Sequence, residues 1–263
     1  MSAIVIDRVA KRFDLPGSRS GVQALSGLTL EVASGEFVAI LGPSGCGKST
    51  LLRLVAALEQ PTSGSVNING AAPNLVSAHH ALGVAFQDHA LLPWLSVRDN
   101  VALPFRIARR RVDQAAIGRL LDLVGLASFA DALPRQLSGG MRQRASIARA
   151  LVLEPEVLLL DEPFGALDAV TRRQMNVELQ RIWSARQITT LLITHSVDEA
   201  LFLADRVVVM SGRPGRILRE VNVSFARPRD PSIMRGEQFH RLVDDLTEAL
   251  DSNSSPPPGG EAR

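Results

Sequence analysis

The sequence predicts an α/β fold in which a parallel sheet carries an inserted block of helices, and three observations support this prediction. Short apolar runs recur along the 263-residue chain and alternate with helical segments, which is typical of parallel strands buried on both faces. Residues 91–153 have helical spacing and few strand signals. The first ~35 residues are predicted to form strands and turns, and Val22–Val32 alternates loosely, as in a sheet with one face in water. The apolar runs are Phe37–Leu41, Leu82–Phe86, Val157–Leu160, Thr190–Thr194 and Arg206–Met210.

Weaker signals predict the elements between the first two of these apolar runs. Residues 51–58 are apolar enough on one side to predict a helix. Pro61–Gly64 predicts a turn, and the alternating residues 65–70 predict a strand after it. No periodic pattern follows in residues 71–81, which we therefore expect to form a loop.

A capping pattern and a change of composition mark the later boundaries. Ser96 is expected to cap a helix as in a capping box, with Asp99 where Glu or Gln is usual. The last residues are rich in Ser, Pro and Gly and cannot bury apolar surface. We expect one domain at 1–250, with its core at about 1–87 and 157–250, a helical subdomain at about 88–156, and a disordered tail at 251–263.

Composition and charge argue against several classes of protein. A net charge of +2 is too weak to indicate a nucleic-acid partner, and a single cysteine cannot form an internal disulfide, which suits a reducing compartment. No run approaches the ~18 consecutive apolar residues that span a bilayer, and the N-terminus lacks the layout of a signal peptide. We therefore expect a protein of the cytoplasm, or one that other chains hold at a membrane.

A phosphate-binding loop lies between the first apolar run and the helix predicted at 51–58, and it fits G-x-x-x-x-G-K-[ST]. Its glycines let backbone N–H groups turn towards phosphate oxygens, and the helix N-terminus adds positive potential. Lys48 can reach the terminal phosphates, and the Ser49 hydroxyl can ligate Mg²⁺. The residues expected to bind a nucleoside triphosphate are Gly42, Pro43, Ser44, Gly45, Cys46, Gly47, Lys48, Ser49 and Thr50.

Polar side chains follow three other predicted strands, where ligands bind in parallel sheets. Asp161 is placed to hold Mg²⁺, and Glu162 is placed to polarise an attacking water. Gln87 can contact both Mg²⁺ and the water, and His195 can hydrogen-bond the γ-phosphate. The alternatives are a solvated turn for the acidic pair, a surface position for Gln87 and a structural role for His195. A second capping box is predicted directly behind the histidine, at Ser196–Glu199.

The order of these motifs resembles that of the ATP-binding subunits of ATP-binding-cassette (ABC) transporters. The matching segments, besides the phosphate loop, are Gln87, Leu137–Met141, Asp161–Glu162, Ala166–Asp168 and His195, and the resemblance runs from about residue 4 to residue 223. It implies a P-loop NTPase core with an N-terminal antiparallel β subdomain and an inserted α-helical subdomain. It implies three catalytic side chains, which are Glu162, His195 and Gln87. It implies a Mg²⁺ site formed by Ser49, Gln87 and Asp161.

A second anion site is predicted where Ser138–Met141 begins a helix, because the free N–H groups and the dipole of a helix start attract anions. The resemblance implies that this site meets the γ-phosphate of ATP held by a second copy of the chain, so that two nucleotides lie between two subunits. Met141 stands where many members have Gln, and several importers of small anions share the Met. The residues implied at this interface are Ser138, Gly139, Gly140, Met141 and Asp168.

The resemblance also implies that an aromatic side chain near the N-terminus stacks on the adenine base. Phe13 is the matching residue, and Val22 lies beyond a short insertion at residues 14–20. The alternative for Phe13 is an ordinary position in the core. We expect Phe13 and Val22 to bind the base, with the core position of Phe13 kept as the competing interpretation.

Three further segments are similar to the nitrate, sulfonate and taurine branch of bacterial ABC importers: Leu91–Trp94, Pro163–Asp168 and Gly212–Arg216. This resemblance implies a peripheral ATPase subunit on the cytoplasmic face of the inner membrane. Its partners would be integral membrane permease subunits and, through them, a periplasmic solute-binding protein. A DNA-repair ATPase is disfavoured because the chain lacks long coiled coils and zinc modules. A module without turnover is disfavoured because Glu162 and His195 are both present.

The apolar segment Leu91–Trp94 allows two interpretations, because it follows closely on Gln87 and precedes the helix predicted at Ser96. Its side chains are either ordinary core of the helical block or part of a groove that receives a short helix of the membrane subunit. A Trp is a favoured anchor in a groove of the second kind.

Overall fold

In the computed structural model, residues 2–14 and 21–252 are described, and their strands form two sheets. The strands are β1 (Ser2–Phe13), β2 (Val22–Ala33), β3 (Phe37–Leu41), β4 (Ser63–Ile68), β5 (Leu82–Ala85), β6 (Val157–Asp161), β7 (Thr189–Ile193), β8 (Arg206–Met210) and β9 (Ile217–Asn222). The helices are α1 (Lys48–Val55), α2 (Pro73–Ala78), α3 (Val97–Ile107), α4 (Gln114–Leu123), α5 (Gly139–Leu151), α6 (Ala169–Arg186), α7 (Val197–Leu203) and α8 (Glu237–Asp251). Most of the tail predicted at 251–263 lies outside the described residues, and Asp251 ends α8 instead of starting that tail.

The larger sheet has the order β5-β6-β7-β3-β8-β9, and its neighbours are parallel except for the antiparallel edge strand β9. All five residues of β3 are buried. Phe37, Ala39 and Leu41 pack into one core together with the helical block, whereas Val38 and Ile40 pack into a second core together with α1 and the smaller sheet. Both faces of the sheet are therefore covered, which confirms the predicted α/β class.

The smaller sheet has the order β2-β1-β4 with antiparallel pairs, as predicted for the N-terminal part of the chain. Strand β4 starts at Ser63, within the predicted turn, because Ser63 pairs with Ala10 of β1. Gly64 has a φ of 81°, and a Cβ at this position would lie 2.4 Å from the carbonyl oxygen of Arg8. Glycine at this position therefore permits both the backbone conformation and the close approach of the two strands.

Two helices differ from the expectations drawn from sequence. Helix α1 begins at Lys48, earlier than the predicted start at residue 51, and ends at Val55. The loop expected at 71–81 contains α2, in which Pro73 occupies the first helical turn and Val76 is the buried residue. A helix of six residues with one buried side chain has no repeating apolar pattern, and for that reason the sequence did not reveal it.

Helices α3, α4 and α5 lie between β5 and β6, where the sequence predicts the inserted block. At the start of α3, the Ser96 hydroxyl oxygen accepts the N–H of Asp99 at 3.1 Å. The same hydroxyl donates to the Asp99 carboxylate at 2.8 Å, and this bond is the main cause of a lowered pKa for Asp99. The two side chains thus pair with each other, which differs from the reciprocal backbone contacts of the predicted capping box.

A buried arginine ties the C-terminal segment to the end of α7. Arg229 is 2% exposed, and its Nη1 donates to the carbonyl oxygens of Leu201 (3.1 Å), Phe202 (3.1 Å) and Ala204 (2.7 Å). Helix ends leave such carbonyls without partners inside the helix, so the guanidinium acts as a C-cap. Burial, and secondly repulsion from Arg227, lower the pKa of Arg229 to about 10.

Replacing Arg229 by Met is expected to lower the free energy of unfolding by about 3 kcal/mol, because buried carbonyl oxygens would lose their donors. Urea unfolding monitored by circular dichroism measures the change. Arg235→Met, at an exposed arginine of the same segment, is the matched control and should stay within about 0.5 kcal/mol of wild type. Equal effects of the two substitutions would show that the carbonyl contacts of Arg229 do not stabilise the fold.

Candidate nucleotide-binding site

The phosphate loop joins β3 to α1, and its shape depends on a glycine at the start of the helix. Gly47 has a φ of 105°, and a Cβ at this position would lie 2.8 Å from the carbonyl oxygen of Ala24. The Nζ of Lys48 donates to the carbonyl oxygens of Gly42 at 2.7 Å and of Pro43 at 2.9 Å. The ammonium group therefore lies across the loop that the motif assigns to phosphate.

A cavity of about 520 Å³ opens beside the loop and brings together residues from both sheets. Phe13 and Val22, at the ends of β1 and β2, form part of its wall. Phe13 is half-buried, with the Nζ of Lys11 at 4.9 Å from the centre of its ring, so it is a wall residue and not a core residue. The lining residues are Phe13, Val22, Ala24, Gly42, Ser44, Gly45, Gly47, Lys48, Ser49, Thr50, Gln87, Glu162, His195 and Arg213.

Two residues of the motif, Cys46 and Pro43, do not line the cavity and instead contact Lys48. Cys46 is fully buried, and its Sγ lies 3.8 Å from the Nζ of Lys48. A Cβ at Gly42 would come within 2.9 Å of this sulfur, so the thiol fills the space beside a residue that has no side chain. Pro43 contributes its carbonyl oxygen to Lys48.

Three polar side chains converge at the carboxyl ends of β5, β6 and β7. The Nε2 of Gln87 donates to the Oε2 of Glu162 at 3.4 Å, and the Nδ1 of His195 lies 3.4 Å from the same oxygen. Glu162 has a φ of 47°, unusual for a residue with a side chain, and its N–H donates to the carbonyl oxygen of Ile193 at 2.8 Å. This backbone conformation turns the carboxylate into the cavity, where it lies between the amide and the imidazole.

Ser49 and Asp161 supply a pair of hard oxygen donors at the first residues of α1 and the end of β6. The Ser49 hydroxyl donates to Asp161 Oδ1 at 3.2 Å, and Asp161 is 5% exposed. Burial raises the pKa of Asp161, and the bond from Ser49 opposes that shift. A hydroxyl and a carboxylate beside a predicted phosphate-binding loop suit Mg²⁺, which prefers oxygen ligands and few protein groups. The donor set present therefore fits this ion.

A buried carboxylate supports the backbone around His195. Glu199 is 5% exposed, and its Oε2 accepts from the hydroxyl of Thr194 at 2.7 Å. Its other oxygen lies 3.6 Å from the Nε of Arg172, and burial raises the pKa of Glu199. The predicted capping box is therefore only half formed: the Ser196 hydroxyl accepts the N–H of Glu199 at 3.3 Å, but the Ser196 N–H donates to Thr194. Thr194 and Arg172 compete successfully for the carboxylate because it is buried between them.

The segment predicted as a second anion site begins α5 and lies apart from the cavity. The Ser138 hydroxyl oxygen accepts the N–H of Met141 at 3.2 Å, which caps the helix. Gly140 faces the segment before α6, since a Cβ at Gly140 would lie 2.8 Å from Leu167 Cδ2. Asp168 is exposed at the start of α6, and hydrogen bonds from Thr171 are the main cause of its lowered pKa. None of Ser138, Gly139, Gly140, Met141 and Asp168 lines the cavity of its own chain.

The structure also identifies residues that sequence reasoning missed or misjudged. Ala24 and Arg213 line the cavity, although neither had been expected to bind nucleotide. Their positions depend on the packing of β2 and β8 beside the loop, which no local motif encodes. Trp94 is 70% exposed, so the interpretation of Trp94 as core is wrong, whereas Leu91 does pack against the core.

Comparisons with known proteins identify a family and several relatives to which the chain is similar. The sequence profile of a family described as ABC transporter matches residues 25–165. The chain is 45% identical to the Nitrate import ATP-binding protein NrtD of Synechococcus elongatus, over 93% of this chain and 89% of the relative. It is 46% identical to the Aliphatic sulfonates import ATP-binding protein SsuB 2 of Burkholderia cenocepacia, over 96% of this chain and 90% of the relative.

A solved structure is similar in fold as well as in sequence. It is the dimeric structure of a post-hydrolysis state of an ATP-binding cassette bound to ADP and Pi. The two folds superpose with a TM-score of 0.78 at 30% identity, over 85% of this chain and all of that chain. A dimer is thus known for a cassette of this fold, with nucleotide bound.

Proposed function

The chain belongs to the ABC transporter family, and on that premise we propose that it is the ATP-hydrolysing subunit of a bacterial importer of small anions, of the nitrate or sulfonate type. The observation that carries the proposal is the convergence of Gln87 and His195 on one carboxylate oxygen of Glu162, beside the phosphate-loop cavity. The nitrate and sulfonate relatives, matched over about nine tenths of both chains, support the class of solute.

The phosphate loop binds the triphosphate of ATP in this proposal. The backbone N–H groups of Ser44–Gly47 and the N-terminus of α1 surround the phosphate oxygens, and Lys48 pairs with the β- and γ-phosphates. In the structure, Lys48 donates to two carbonyl oxygens of the loop. When ATP enters, the ammonium group exchanges these neutral acceptors for charged phosphate oxygens. Phe13 and Val22, which line the same cavity, contact the base.

Glu162 is the group that polarises the attacking water. Its carboxylate faces the cavity and is held from two sides by Gln87 and His195, and such positioning lowers the entropic cost of proton transfer. His195, which lines the same cavity, hydrogen-bonds the γ-phosphate in this proposal. Ser49, Asp161 and Gln87 would hold Mg²⁺, which would neutralise part of the charge on the phosphates.

A second copy of the chain completes the site. Ser138–Met141 and Asp168 lie outside the cavity of their own chain, and the start of α5 is suited to bind an anion. Two copies arranged head to tail would each present this segment to the γ-phosphate held by the other. The dimeric solved cassette supports such an arrangement.

The remaining partners are proposed to be integral membrane permease subunits, with a periplasmic solute-binding protein acting through them. No helix among the described residues is both long and apolar enough to cross a membrane. We propose that the subunit is attached to the cytoplasmic face of the inner membrane through the permease. Trp94, exposed in the segment that follows Gln87, is the anchor proposed for a short permease helix.

Replacing Glu162 by Gln is expected to lower steady-state ATP hydrolysis by a factor on the order of 10² or more while ATP binding persists, because the isosteric amide cannot accept the proton of water. ATP should then hold the variant as a dimer in size-exclusion chromatography. Glu248→Gln, an exposed carboxylate of α8, serves as the control and should hydrolyse ATP normally. Near wild-type hydrolysis by Glu162→Gln would rule out the assigned role.

Replacing Ser138 by Arg is expected to leave ATP binding by the monomer unchanged but to abolish hydrolysis, because it adds bulk and charge to a site used only by the partner's nucleotide. Lys48→Ala is the contrasting variant, since it should lose ATP binding itself. Equilibrium binding of ATP and steady-state turnover are measured for both. If Ser138→Arg lost ATP binding as fully as Lys48→Ala, the two-subunit sandwich would be the wrong arrangement.

Replacing Trp94 by Ala is expected to weaken attachment to the permease by about 2 kcal/mol, because an exposed aromatic anchor is removed. The melting temperature and the ATPase activity of the isolated subunit should stay unchanged. Co-purification with the permease measures the loss, and Leu218→Ala, at an exposed apolar residue of β9, is the control. A lower melting temperature with unchanged co-purification would contradict the docking role.

A further inference from the structure

The segment Gly212–Arg216, between β8 and β9, lies against the phosphate loop. The N–H of Gly215 donates to the carbonyl oxygen of Ala24 at 2.9 Å, and the Gly215 carbonyl accepts from the N–H of Ser26 at 3.1 Å. A Cβ at Gly215 would lie 2.2 Å from the carbonyl oxygen of Cys46. Only a residue without a side chain permits this approach, so the segment is closely packed between β2 and the loop.

Internal hydrogen bonds hold the turn in one shape. The Ser211 hydroxyl donates to the carbonyl oxygen of Pro214 at 3.2 Å and accepts the N–H of Arg216 at 3.0 Å. The N–H of Ser211 donates to the carbonyl oxygen of Arg216 at 2.9 Å. The position of Arg213, within this turn, is therefore set by the fold.

The Arg213 side chain reaches the phosphate loop itself. Its Nε donates to the carbonyl oxygen of Gly45 at 3.2 Å, and its Nη2 would be 3.4 Å from a Cβ built on Gly45. Arg213 lines the same cavity as Phe13 and Lys48. The neighbouring Arg216 lies elsewhere, with its Nη2 at 3.5 Å from the Ser26 hydroxyl, and does not line the cavity.

We propose that Arg213 is a second cationic ligand of the nucleotide and that its guanidinium contacts the phosphate chain. This inference rests on the proposed function, because it assumes that the cavity binds a nucleoside polyphosphate. An arginine carries five N–H donors in a plane, so the bond from Nε to Gly45 orients the group and leaves the terminal nitrogens for phosphate oxygens. Bonds from a guanidinium to phosphate are strong because both partners are charged.

The charge balance of the cavity supports this role. Glu162 brings a carboxylate into the lining of the cavity, and Lys48 is the basic residue of the motif there. A polyphosphate entering this space is repelled by that carboxylate, and a second positive group beside the loop offsets part of the repulsion. Among the described residues that line the cavity, Lys48 and Arg213 are the two lysine or arginine side chains.

The test compares Arg213→Ala with Arg216→Ala, a matched loss of one arginine from the same turn. Isothermal titration of each purified chain with ATP, ADP and GTP gives the dissociation constants. Arg213→Ala is expected to raise Kd about tenfold for ATP and GTP alike, with a smaller rise for ADP, because the contact is to phosphate charge and not to the base. Arg216→Ala should change Kd less than about twofold, and thermal melting should be unchanged for both variants.

Three results would overturn the inference. Unchanged ATP binding by Arg213→Ala would exclude the contact, and equal losses in both variants would indicate a general effect of charge. A loss confined to ATP, with GTP unaffected, would indicate a contact to the base instead of the phosphates. Failure of the wild-type chain to bind ATP would overturn the proposed function as well, whereas normal wild-type binding with any of the three results would overturn this inference alone.

Discussion

The hydrogen bonding of four adjacent parallel strands, β5, β6, β7 and β3, is the constraint on which the rest of the structure depends. Parallel pairing brings their carboxyl ends to one edge of the sheet. At this edge Asp161 pairs with Ile193, and the N–H of Glu162 donates to the carbonyl oxygen of Ile193. Because both faces are buried, slippage by one residue would turn apolar side chains to the wrong core. Gln87, Glu162, His195 and the phosphate loop follow these strands in the chain, so the strand order brings the proposed catalytic groups into one cavity.

Arginines that bind backbone carbonyls connect this edge to the helices. Arg149, on α5, donates to the carbonyl oxygens of His89 and Ala90 at 2.7 Å each. These two residues follow Gln87 closely in the chain. Burial lowers the pKa of Arg149. Arg172 donates to two carbonyls before α6, and Arg229 caps α7. Each guanidinium satisfies carbonyls that are otherwise left over at loops and helix ends. The segments that carry the proposed functional residues are thereby fixed to the helical block and to the C-terminal segment.

Much of the fold could be predicted because its signals are local. The run Phe37–Leu41 coincides with β3, and the glycine pattern after it marks the phosphate loop with its strand and helix. The contacts of Glu199 could not be predicted, because Thr194 and Arg172 satisfy its carboxylate through packing between α6 and α7. Helix α2 was missed because its local signal is weak: a single buried side chain in six residues gives no repeating apolar pattern. The assigned roles of the site residues stay predictions until the variants are measured.

The sequence by itself determined the chemistry available to this protein: the phosphate loop, the acidic pair at a strand end, the family order of the motifs and the apolar strands that build the sheet. Only the tertiary structure decided which side chains share the cavity. Arg213 lines it and Arg216 does not, although they are close in the chain, and Trp94 is exposed although it is apolar. The physical reason is that a local pattern records what each residue prefers, whereas strand order and packing set the distances between residues that are far apart in the chain.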